Sequence, residues 1–421
     1  MHVFLVADGR SPITRRWIAG LGALQHETTL VSTFPCPPVE GVRETYVLPV
    51  AFSGMAGSQA GGKAPDPAVS QKRKTVSKAR LPLLRLRYLL GPLSLSFYAG
   101  RFRSLLRAVQ PDIVHALRIP FEGMLASYTP GGTPLLVSVW GNDLTLHAGG
   151  SSLMRSFTTR TLRRANGLIA DTYRDIRLAK SWGFPEQGST LVVPGSGGID
   201  LLELHTPTVQ RQDNLNGISE GTPLVINPRG FRPGSVRNDT FFQAVPLILE
   251  RKPEVQFLCA AMAGQPEAIQ WIERLRIEKS VHLLPYIPQS QLWDLFTRSE
   301  ISVSVSEHDG TPNSLLEAMA CGCFPIAGDI ESLREWITPG VNGLLVEPKR
   351  PQSLAEAVLL ALENPTFRSH AAELNLEIIR RRAEINLVRT QIEIFYRRFI
   401  KVVPPEETTE PNAPSRYSSE E

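Results

Sequence analysis

The chain has 421 residues, of which 42% are hydrophobic and 20% charged, a composition typical of a globular protein with room for two domains. Its formal net charge is only +4, its four cysteines form no CxxC pair, and no apolar run is long enough to span a bilayer. No signal peptide precedes the first apolar segment, so these features argue against a secreted disulfide scaffold or an integral membrane protein and predict a reduced, cytoplasmic one.

The first 34 residues predict a βαβ unit. The pattern indicates a strand over His2–Ala7, a helix over Thr14–Leu24 and a strand over Thr28–Phe34. The turn after the first strand lacks GxGxxG, which weakens a nicotinamide-binding interpretation.

A basic segment follows. Between Ser53 and Arg107, eleven lysines and arginines face a single acid, Asp66, so this segment carries +10 and the remainder −6. Its composition predicts a mobile loop from Ser53 to Arg80, then an apolar stretch over Leu81–Val109 that is broken at Gly91-Pro92. A solvated loop accounts for the charge, and so does an anionic membrane surface, because leucines and aromatic residues adjoin the arginines.

Strands and helices alternate through the rest of the chain. The predicted strands are Asp112–Ala116, Leu135–Trp140, Gly167–Asp171, Leu191–Pro194, Leu224–Asn227, Val255–Ala261, Val281–Leu284, Ile301–Val305, Phe324–Ala327 and Gly343–Val346. The predicted helices are Phe121–Tyr128, Leu153–Ala165, Thr172–Trp182, Asp239–Leu249, Pro266–Lys279, Gln289–Thr297, Ser332–Ile337, Gln352–Glu363 and Leu387–Phe399. This alternation predicts two doubly wound parallel sheets that face each other across a cleft, with ligands at the carboxyl ends of the strands.

The most specific pattern lies between Ile301 and Glu331. A polar turn after the predicted strand leads into a helix, with Thr311 as its N-cap, Pro312 as its first residue and Gly322 as its stop. The backbone amides at the start of this helix would point at an anion such as phosphate. Asp309 and Glu317 bracket them, so that one ligand can contact both.

The stretch Asp309-Gly-Thr-Pro-Asn-Ser-Leu-Leu-Glu317, followed by Ala-Met-Ala-Cys-Gly322, resembles the acidic-x7-acidic signature of the retaining, nucleotide-sugar-dependent glycosyltransferases with the GT-B fold, the glycosyl transferases group 1. The resemblance implies two Rossmann-like α/β domains. It also implies that Glu317 hydrogen-bonds the ribose of the donor and that Asp309, where the family usually has the longer Glu, faces the donor sugar. The residues implied to bind the sugar or pyrophosphate are Gly310, Thr311, Asn313 and Ser314.

Arginines follow the first strand of the second half. The family has an Arg there and a Lys several residues later, both placed where charge grows on the leaving phosphate. Arg229 matches the first, Arg237 is the predicted substitute for the Lys, and Arg232 competes with it. No Asp-x-Asp follows a strand, so neither a metal nor another cofactor is predicted.

The first half offers weaker candidates at two strand ends. Many relatives have a His before the Gly of the segment Trp140-Gly-Asn-Asp143, where this chain has Trp140. Asp143 is predicted to be catalytic, and Asn142 and His115 to contact sugar or acceptor. His147 remains a further candidate.

The predicted domains are residues 1–198 on the acceptor side, completed by a helix over 384–400, and residues 199–383 on the donor side, with Gly198-Ile199-Asp200 at the crossing and a disordered tail over 404–421. The resemblance implies transfer from a nucleotide diphosphate sugar to a glycan or lipid-linked acceptor of the cell-envelope type. The predicted location is cytoplasmic, with peripheral association at the inner face of the membrane and a soluble enzyme with a basic loop both left open, and no nucleic acid partner is predicted. A nucleotide-sugar 2-epimerase and a non-catalytic sugar-binding protein remain alternatives.

Overall fold

The computed structural model describes residues 1–55, 70–205, 218–219, 221–232 and 234–400, without the side chains of residues 55, 70–85 and 205. The predicted disordered tail, 404–421, lies outside the described residues.

The first domain is built on a parallel sheet with helices on both faces. The described strands are β1 (His2–Ala7), β2 (Glu27–Ser32), β3 (Glu44–Val47), β4 (Ile113–Ala116), β5 (Leu135–Val139), β6 (Gly167–Ala170) and β7 (Ser189–Val192). The described helices are α1 (Pro12–Ala23), α2 (Ser70–Val109), α3 (Met124–Ala126), α4 (Ser152–Arg164) and α5 (Tyr173–Ser181). The strand order is β3-β2-β1-β4-β5-β6-β7, so the winding direction reverses between β1 and β4.

The second domain repeats this architecture. Its described strands are β8 (Leu224–Asn227), β9 (Gln256–Cys259), β10 (Val281–Leu283), β11 (Ile301–Ser304), β12 (Phe324–Gly328) and β13 (Leu344–Val346). The described helices are α6 (Leu201–His205), α7 (Asn238–Leu249), α8 (Pro266–Leu275), α9 (Gln289–Arg298), α10 (Asn313–Ala320), α11 (Glu331–Arg334), α12 (Pro351–Glu363) and α13 (Pro365–Arg382). The order β10-β9-β8-β11-β12-β13 places this reversal between β8 and β11, and the predicted pair of doubly wound sheets is confirmed.

The central strands read as unbroken apolar runs because helices cover both faces of each sheet. In β1, Val3, Phe4, Leu5 and Val6 are all fully buried. Ligands bind such sheets outside the carboxyl ends of the strands, at the point where the winding reverses.

The chain crosses between the domains twice, at neighbouring points. The Ile199 amide donates to the Ala383 carbonyl at 2.7 Å, and the Ile385 amide donates back to the Ile199 carbonyl at 3.0 Å. The last described helix, α14 (Ile385–Arg397), then packs on the first sheet, where Val388 and Tyr396 join its core.

Helix α2 corrects two predictions. Residues 56–69 of the predicted loop Ser53–Arg80 lie outside the described residues, and the helix already begins at Ser70. The predicted break at Gly91-Pro92 is absent because the helix runs on to Val109. Leu95, Phe102 and other apolar side chains pack in the domain core, and this packing outweighs the low helix propensity of Gly and Pro. A Cβ on Gly91 would come within 2.9 Å of the Phe121 ring, so the glycine allows close packing.

The elements that went unpredicted include the edge strand β3, the short helix α6 and the long helix α13. The side chains of β3 are only partly buried, which leaves little alternation to detect, and the amphipathic pattern of α13 is weak. Within the part of the chain that the structure describes, no helix combines the length and the apolar composition of a membrane span.

Candidate active site

A cleft of about 510 Å³ separates the two sheets and lies at both reversal points. This volume is within the range of sites that hold small ligands. Loops that follow β5, β6, β8 and β11 supply its walls, together with the start of α10. All of the predicted donor-side residues except Gly310 and Arg237 line it.

Two glycines set the distance between the domains. A Cβ on Gly141 would overlap the backbone of Gly310, and a Cβ on Gly310 would come within 2.6 Å of Asp171 Oδ2. The Thr311 hydroxyl adds a hydrogen bond across the same contact, donating to the Asp171 carbonyl at 2.8 Å. Gly310 and Thr311 therefore hold the two domains together at the edge of the cleft.

Arg229 and Asp309 pair across the reversal point of the second sheet, since one follows β8 and the other follows β11. The guanidinium donates to Asp309 Oδ2 at 2.7 Å, and the Ser306 hydroxyl donates to the same oxygen at 3.1 Å. The Nε of Arg229 is buried without a hydrogen-bond partner. A buried cation with a free donor, on the wall of the cleft, is suited to an anionic ligand.

Arg232, and not Arg237, joins Arg229 on the second-domain wall of the cleft. The positive charge of nearby Arg229 and, to a smaller extent, desolvation lower the pKa of Arg232 to about 10. Arg237 does not line the cleft: it forms a two-pronged pair with Asp239, at 2.8 and 2.6 Å, and contacts Glu307 at 3.2 Å. The structure thus corrects the predicted placement of Arg237, because two carboxylates already hold its guanidinium.

Glu317 lies on the buried side of α10, with 4% of its surface exposed, and one edge reaches the cleft. Burial raises its pKa to about 7, an effect that the positive charge of Arg16 and a hydrogen bond from Gln289 only partly offset. Gln289 in turn accepts a hydrogen bond from the Arg16 guanidinium of the first domain at 2.5 Å. A carboxylate placed in this way can accept hydrogen bonds from neighbouring hydroxyls.

The helix start differs from the prediction by one residue. The N-cap position is Pro312, which has no side-chain oxygen. The Thr311 hydroxyl is already hydrogen-bonded to the Asp171 carbonyl and accepts a hydrogen bond from the Trp336 indole at 2.9 Å. No side chain caps α10, so its first amides, at Asn313 and Ser314, face the cleft. The Ser314 hydroxyl is buried without a partner, which adds a further free polar group.

Two predicted residues of the first domain lie outside the cleft. Asp143 is fully buried, where it accepts from the Arg118 guanidinium at 2.7 Å and from the Ile119 amide at 3.0 Å. His115 bonds Tyr396 at 2.6 Å and Ser138 at 2.8 Å, and burial lowers its pKa to about 3. Both predicted placements are corrected, since core contacts take up both side chains.

Asn142 does reach the cleft and touches the second domain, where its amide donates to the Ser235 hydroxyl at 3.4 Å. Its Oδ1 is buried without a partner. This amide oxygen is free to accept a hydrogen bond from a sugar hydroxyl.

Sequence reasoning missed several cleft residues, of which Asp171 and Arg118 matter most. Burial, Asp175 and Asp309 raise the pKa of Asp171 well above its usual range, and its Oδ1 has no partner. Both residues come within two positions of the end of a strand, β6 and β4 respectively, and that position was the signal that could have identified them.

Comparisons with known proteins fit this geometry. Residues 8–195 match the family described as glycosyl transferase 4-like domain, and residues 212–376 match the family described as glycosyl transferases group 1. The two matches divide the chain at the crossing between the domains.

Among curated relatives, a D-inositol 3-phosphate glycosyltransferase of Corynebacterium urealyticum is 25% identical over 51% of this chain and 52% of its own length. A GDP-mannose:cellobiosyl-diphosphopolyprenol alpha-mannosyltransferase of Xanthomonas campestris is 26% identical over 60% of this chain and 65% of its own. The chain thus spans about half the length of the first of these curated relatives and somewhat more of the second.

Solved structures match over nearly the whole chain. A sucrose-phosphate synthase of Thermosynechococcus elongatus superposes with a TM-score of 0.70 and 15% identity, covering 94% of this chain and 98% of that one. Anabaena Alr3699/HepE in complex with UDP gives a TM-score of 0.64 and 14% identity, covering 94% and 99%. At such identities the likeness establishes the fold.

Proposed function

Because the chain belongs to the glycosyl transferases group 1 family, we propose that it moves a sugar from a nucleotide diphosphate donor to a hydroxyl of a glycan or lipid-linked acceptor, with retention of the anomeric configuration. The observation that carries this proposal is the Arg229–Asp309 pair, which spans the reversal point of the second sheet and faces the first domain across a narrow cleft.

In this proposal the donor lies along the second domain with its ribose at Glu317 and its sugar at Asp309. Glu317 accepts hydrogen bonds from the ribose hydroxyls, and the uncapped amides of α10 and the free Nε of Arg229 hold the diphosphate. Asp309 and Asp171 then face the sugar from opposite domains. The raised pKa of Asp171 favours its protonated form, which can donate a hydrogen bond to a sugar hydroxyl.

In this proposal the leaving diphosphate itself acts as the base that accepts the acceptor's proton. As the bond to the anomeric carbon breaks, negative charge grows on the β-phosphate, and Arg229 and Arg232 stabilise it more than they stabilise the intact donor. The same phosphate oxygen accepts the proton of the incoming acceptor hydroxyl on the same face, which gives retention. The arginines supply the positive charge, so the reaction as proposed needs no divalent metal.

A panel of nucleotide sugars tests the function. UDP and GDP sugars come first, since the solved HepE complex contains UDP and the Xanthomonas relative is named for GDP-mannose. Release of nucleoside diphosphate with an unchanged anomeric configuration in the product supports the proposal. Epimerisation without release would favour a 2-epimerase, and binding without turnover in the presence of acceptors would favour a sugar-binding protein.

We also propose that the first domain binds peripherally to the inner face of an anionic membrane. Five apolar side chains of α2 recur at helical spacing and are between 42% and 82% exposed: Leu86, Leu89, Leu90, Leu93 and Phe97. The surrounding sequence, from Ser53 to Arg107, carries +10. An apolar stripe within a basic segment matches an anionic lipid surface, at roughly 1 kcal/mol for each cation near it.

Sedimentation with vesicles decides the membrane proposal. Wild-type protein should pellet with anionic vesicles and be released by salt, and the double variant Leu89→Ser, Leu93→Ser should bind more weakly. Leu360→Ser, at an exposed leucine of α12 in the second domain, is the matched control. Equal pelleting of the double variant and wild type would contradict the proposal.

A further inference from the structure

A second cavity, of about 230 Å³, lies in the first domain at the reversal point between β1 and β4. Asp8 after β1, Phe34 after β2, Arg118 after β4 and Arg87 of α2 are among its walls. It shares Arg118, Trp140 and His147 with the interdomain cleft. A molecule in this cavity therefore lies next to the proposed donor site.

Two arginines of this cavity have unused donors. The Nε atoms of Arg87 and Arg118 are both buried without hydrogen-bond partners. Among the described ion pairs of the cavity, Asp143 holds Arg118 at 2.7 Å and Asp8 holds Arg10 at 3.0 Å, and none includes Arg87. Burial also lowers the pKa of Arg87. Glu122 and Asp8 act on Arg87 through space but form no described ion pair with it, so its guanidinium keeps unused donors that suit an anionic ligand.

Aromatic rings hold both guanidinium groups in place. Arg87 lies 4.6 Å from the ring centroid of Phe121 and 5.3 Å from that of Phe34, and Arg118 lies 5.2 Å from that of Trp140. Phe121 itself has φ of +68°, a conformation that is strained for an aromatic residue and that occurs most often at functional sites. The two guanidinium planes are thus oriented before any ligand arrives.

We infer that this cavity binds a phosphate or diphosphate group of the acceptor through Arg87 and Arg118. Guanidinium forks match phosphate oxygens in pairs, and two forks suit a group that carries more than one negative charge. The volume is below the 300 Å³ or more typical of drug-sized ligands, which suits a headgroup. The inference rests on the proposed function, because it takes the first domain to be the acceptor side.

Helix α2 links this site to the proposed membrane surface. Arg87 lines the cavity, while its neighbours Leu86, Leu89 and Leu90 are exposed on the outer face. A phosphate group can arrive there as the headgroup of a membrane lipid or as part of a soluble sugar phosphate. Both sources present the same chemistry to the two arginines.

Equilibrium binding of labelled pyrophosphate to the full chain tests the inference. Wild-type protein should bind two pyrophosphates, one in each domain, and Arg87→Met and Arg229→Met should each lose a different one, with affinity at the altered site falling on the order of tenfold or more. Arg101→Met is the matched control, because it removes an exposed cation from the same helix. Unchanged binding by Arg87→Met would overturn the inference, whereas unchanged binding by Arg229→Met would overturn the donor assignment alone.

Glu122→Gln keeps the test decisive if Arg87→Met does not fold. Glu122 is a buried carboxyl of the same cavity that accepts a hydrogen bond from the Thr33 hydroxyl at 3.0 Å, and Gln preserves that acceptor. Removing its negative charge should tighten pyrophosphate binding several-fold at pH 8 if the anion lies beside it. Equal or weaker binding by Glu122→Gln would contradict the inference.

Transfer assays with matched acceptors distinguish the two sources. One sugar acceptor is supplied without phosphate, as a soluble sugar phosphate, and as a polyprenyl diphosphate in vesicles. Arg87→Met should lower kcat/KM for the phosphorylated forms only, and whichever of these wild type prefers identifies the source. An equal loss with the unphosphorylated sugar would overturn the inference.

Discussion

The reversal points of the two sheets are built alike but differ in how their charges are balanced. In the second domain Arg229 and Asp309 pair across β8 and β11 and satisfy much of each other's charge. In the first domain Asp8 and Arg118, which follow β1 and β4, turn to other partners, Arg10 and Asp143. Arg87, which enters from α2, has no described ion pair.

The two sites also share a buried glutamate. Each site has one glutamate that is 4% exposed and whose pKa is raised to about 7, chiefly by burial: Glu317 and Glu122. In the second domain the site residues come mostly from one strand, turn and helix, whereas the first domain draws on the ends of four strands and on α2. The same fold thus produces one site with a continuous sequence pattern and one without.

Replacing Arg229 should have the largest effect. Arg229→Met is expected to lower kcat by about 10² to 10³, because it removes a cation that acts mainly on charge developing in the transition state. The matched control is Arg237→Met, since that guanidinium is held by Asp239 and Glu307 away from the cleft. Steady-state kinetics checks both, and equal losses would show that Arg237 also acts on the leaving phosphate.

Gly141→Ala tests whether transfer needs the close contact between the two domains at Gly141 and Gly310. The added methyl group would overlap the Gly310 backbone, so the domains could not reach the distance seen here and transfer should fall about 10²-fold. Nucleoside diphosphate binding, which needs only the second domain, should persist. Gly149→Ala is the control, because a Cβ there has no atom within 4 Å. Full activity of Gly141→Ala would show that this contact is dispensable.

Glu317→Ala should weaken binding of the nucleoside diphosphate by roughly 1.5 to 3 kcal/mol, the range for a hydrogen bond to a charged group. Asp309→Asn should leave that affinity nearly unchanged and lower turnover, since the proposal places Asp309 against the sugar and not the nucleotide. Calorimetric titration measures both. Loss of nucleotide affinity in Asp309→Asn but not in Glu317→Ala would reverse the two assignments.

Each of the two glutamates should change the free energy of unfolding by about 2 kcal/mol between pH 5 and pH 8. A carboxyl whose folded pKa is raised contributes stability that is fully present below its unfolded pKa, near 4.5, and is lost as pH rises to about 7. Glu317→Gln and Glu122→Gln should therefore gain stability relative to wild type between pH 5 and pH 8. Denaturant unfolding at both pH values checks this, and a gain in only one variant would break the likeness between the sites.

The residues of the proposed donor site were largely predictable because they are close together in the sequence. Asp309, Asn313, Ser314 and Glu317 lie on one turn and helix, and the structure brings them to one cleft with Arg229. The choice between Arg232 and Arg237 was not predictable, since it depends on Asp239 and Glu307, whose directions only the fold sets.

The first domain, the proposed acceptor side, was less predictable from the sequence. His115 and Asp143 follow the same strand-end logic as the donor residues, yet core contacts with Tyr396 and Arg118 turn both away from the cleft. The Arg87 side of the site could not be foreseen, because the sequence of α2 reads as a loop and an interrupted apolar stretch.

The sequence by itself determined the two doubly wound sheets, their cleft and the residues of the acidic signature, because hydrophobic periodicity and a contiguous motif are local properties. Tertiary structure alone decided which charged groups face each other across that cleft. A side chain's partners depend on contacts between distant segments, as with Gly141 against Gly310 and Arg87 beside Phe121. Burial, which sets the pKa of Glu122 and Glu317, likewise exists only once those segments have packed.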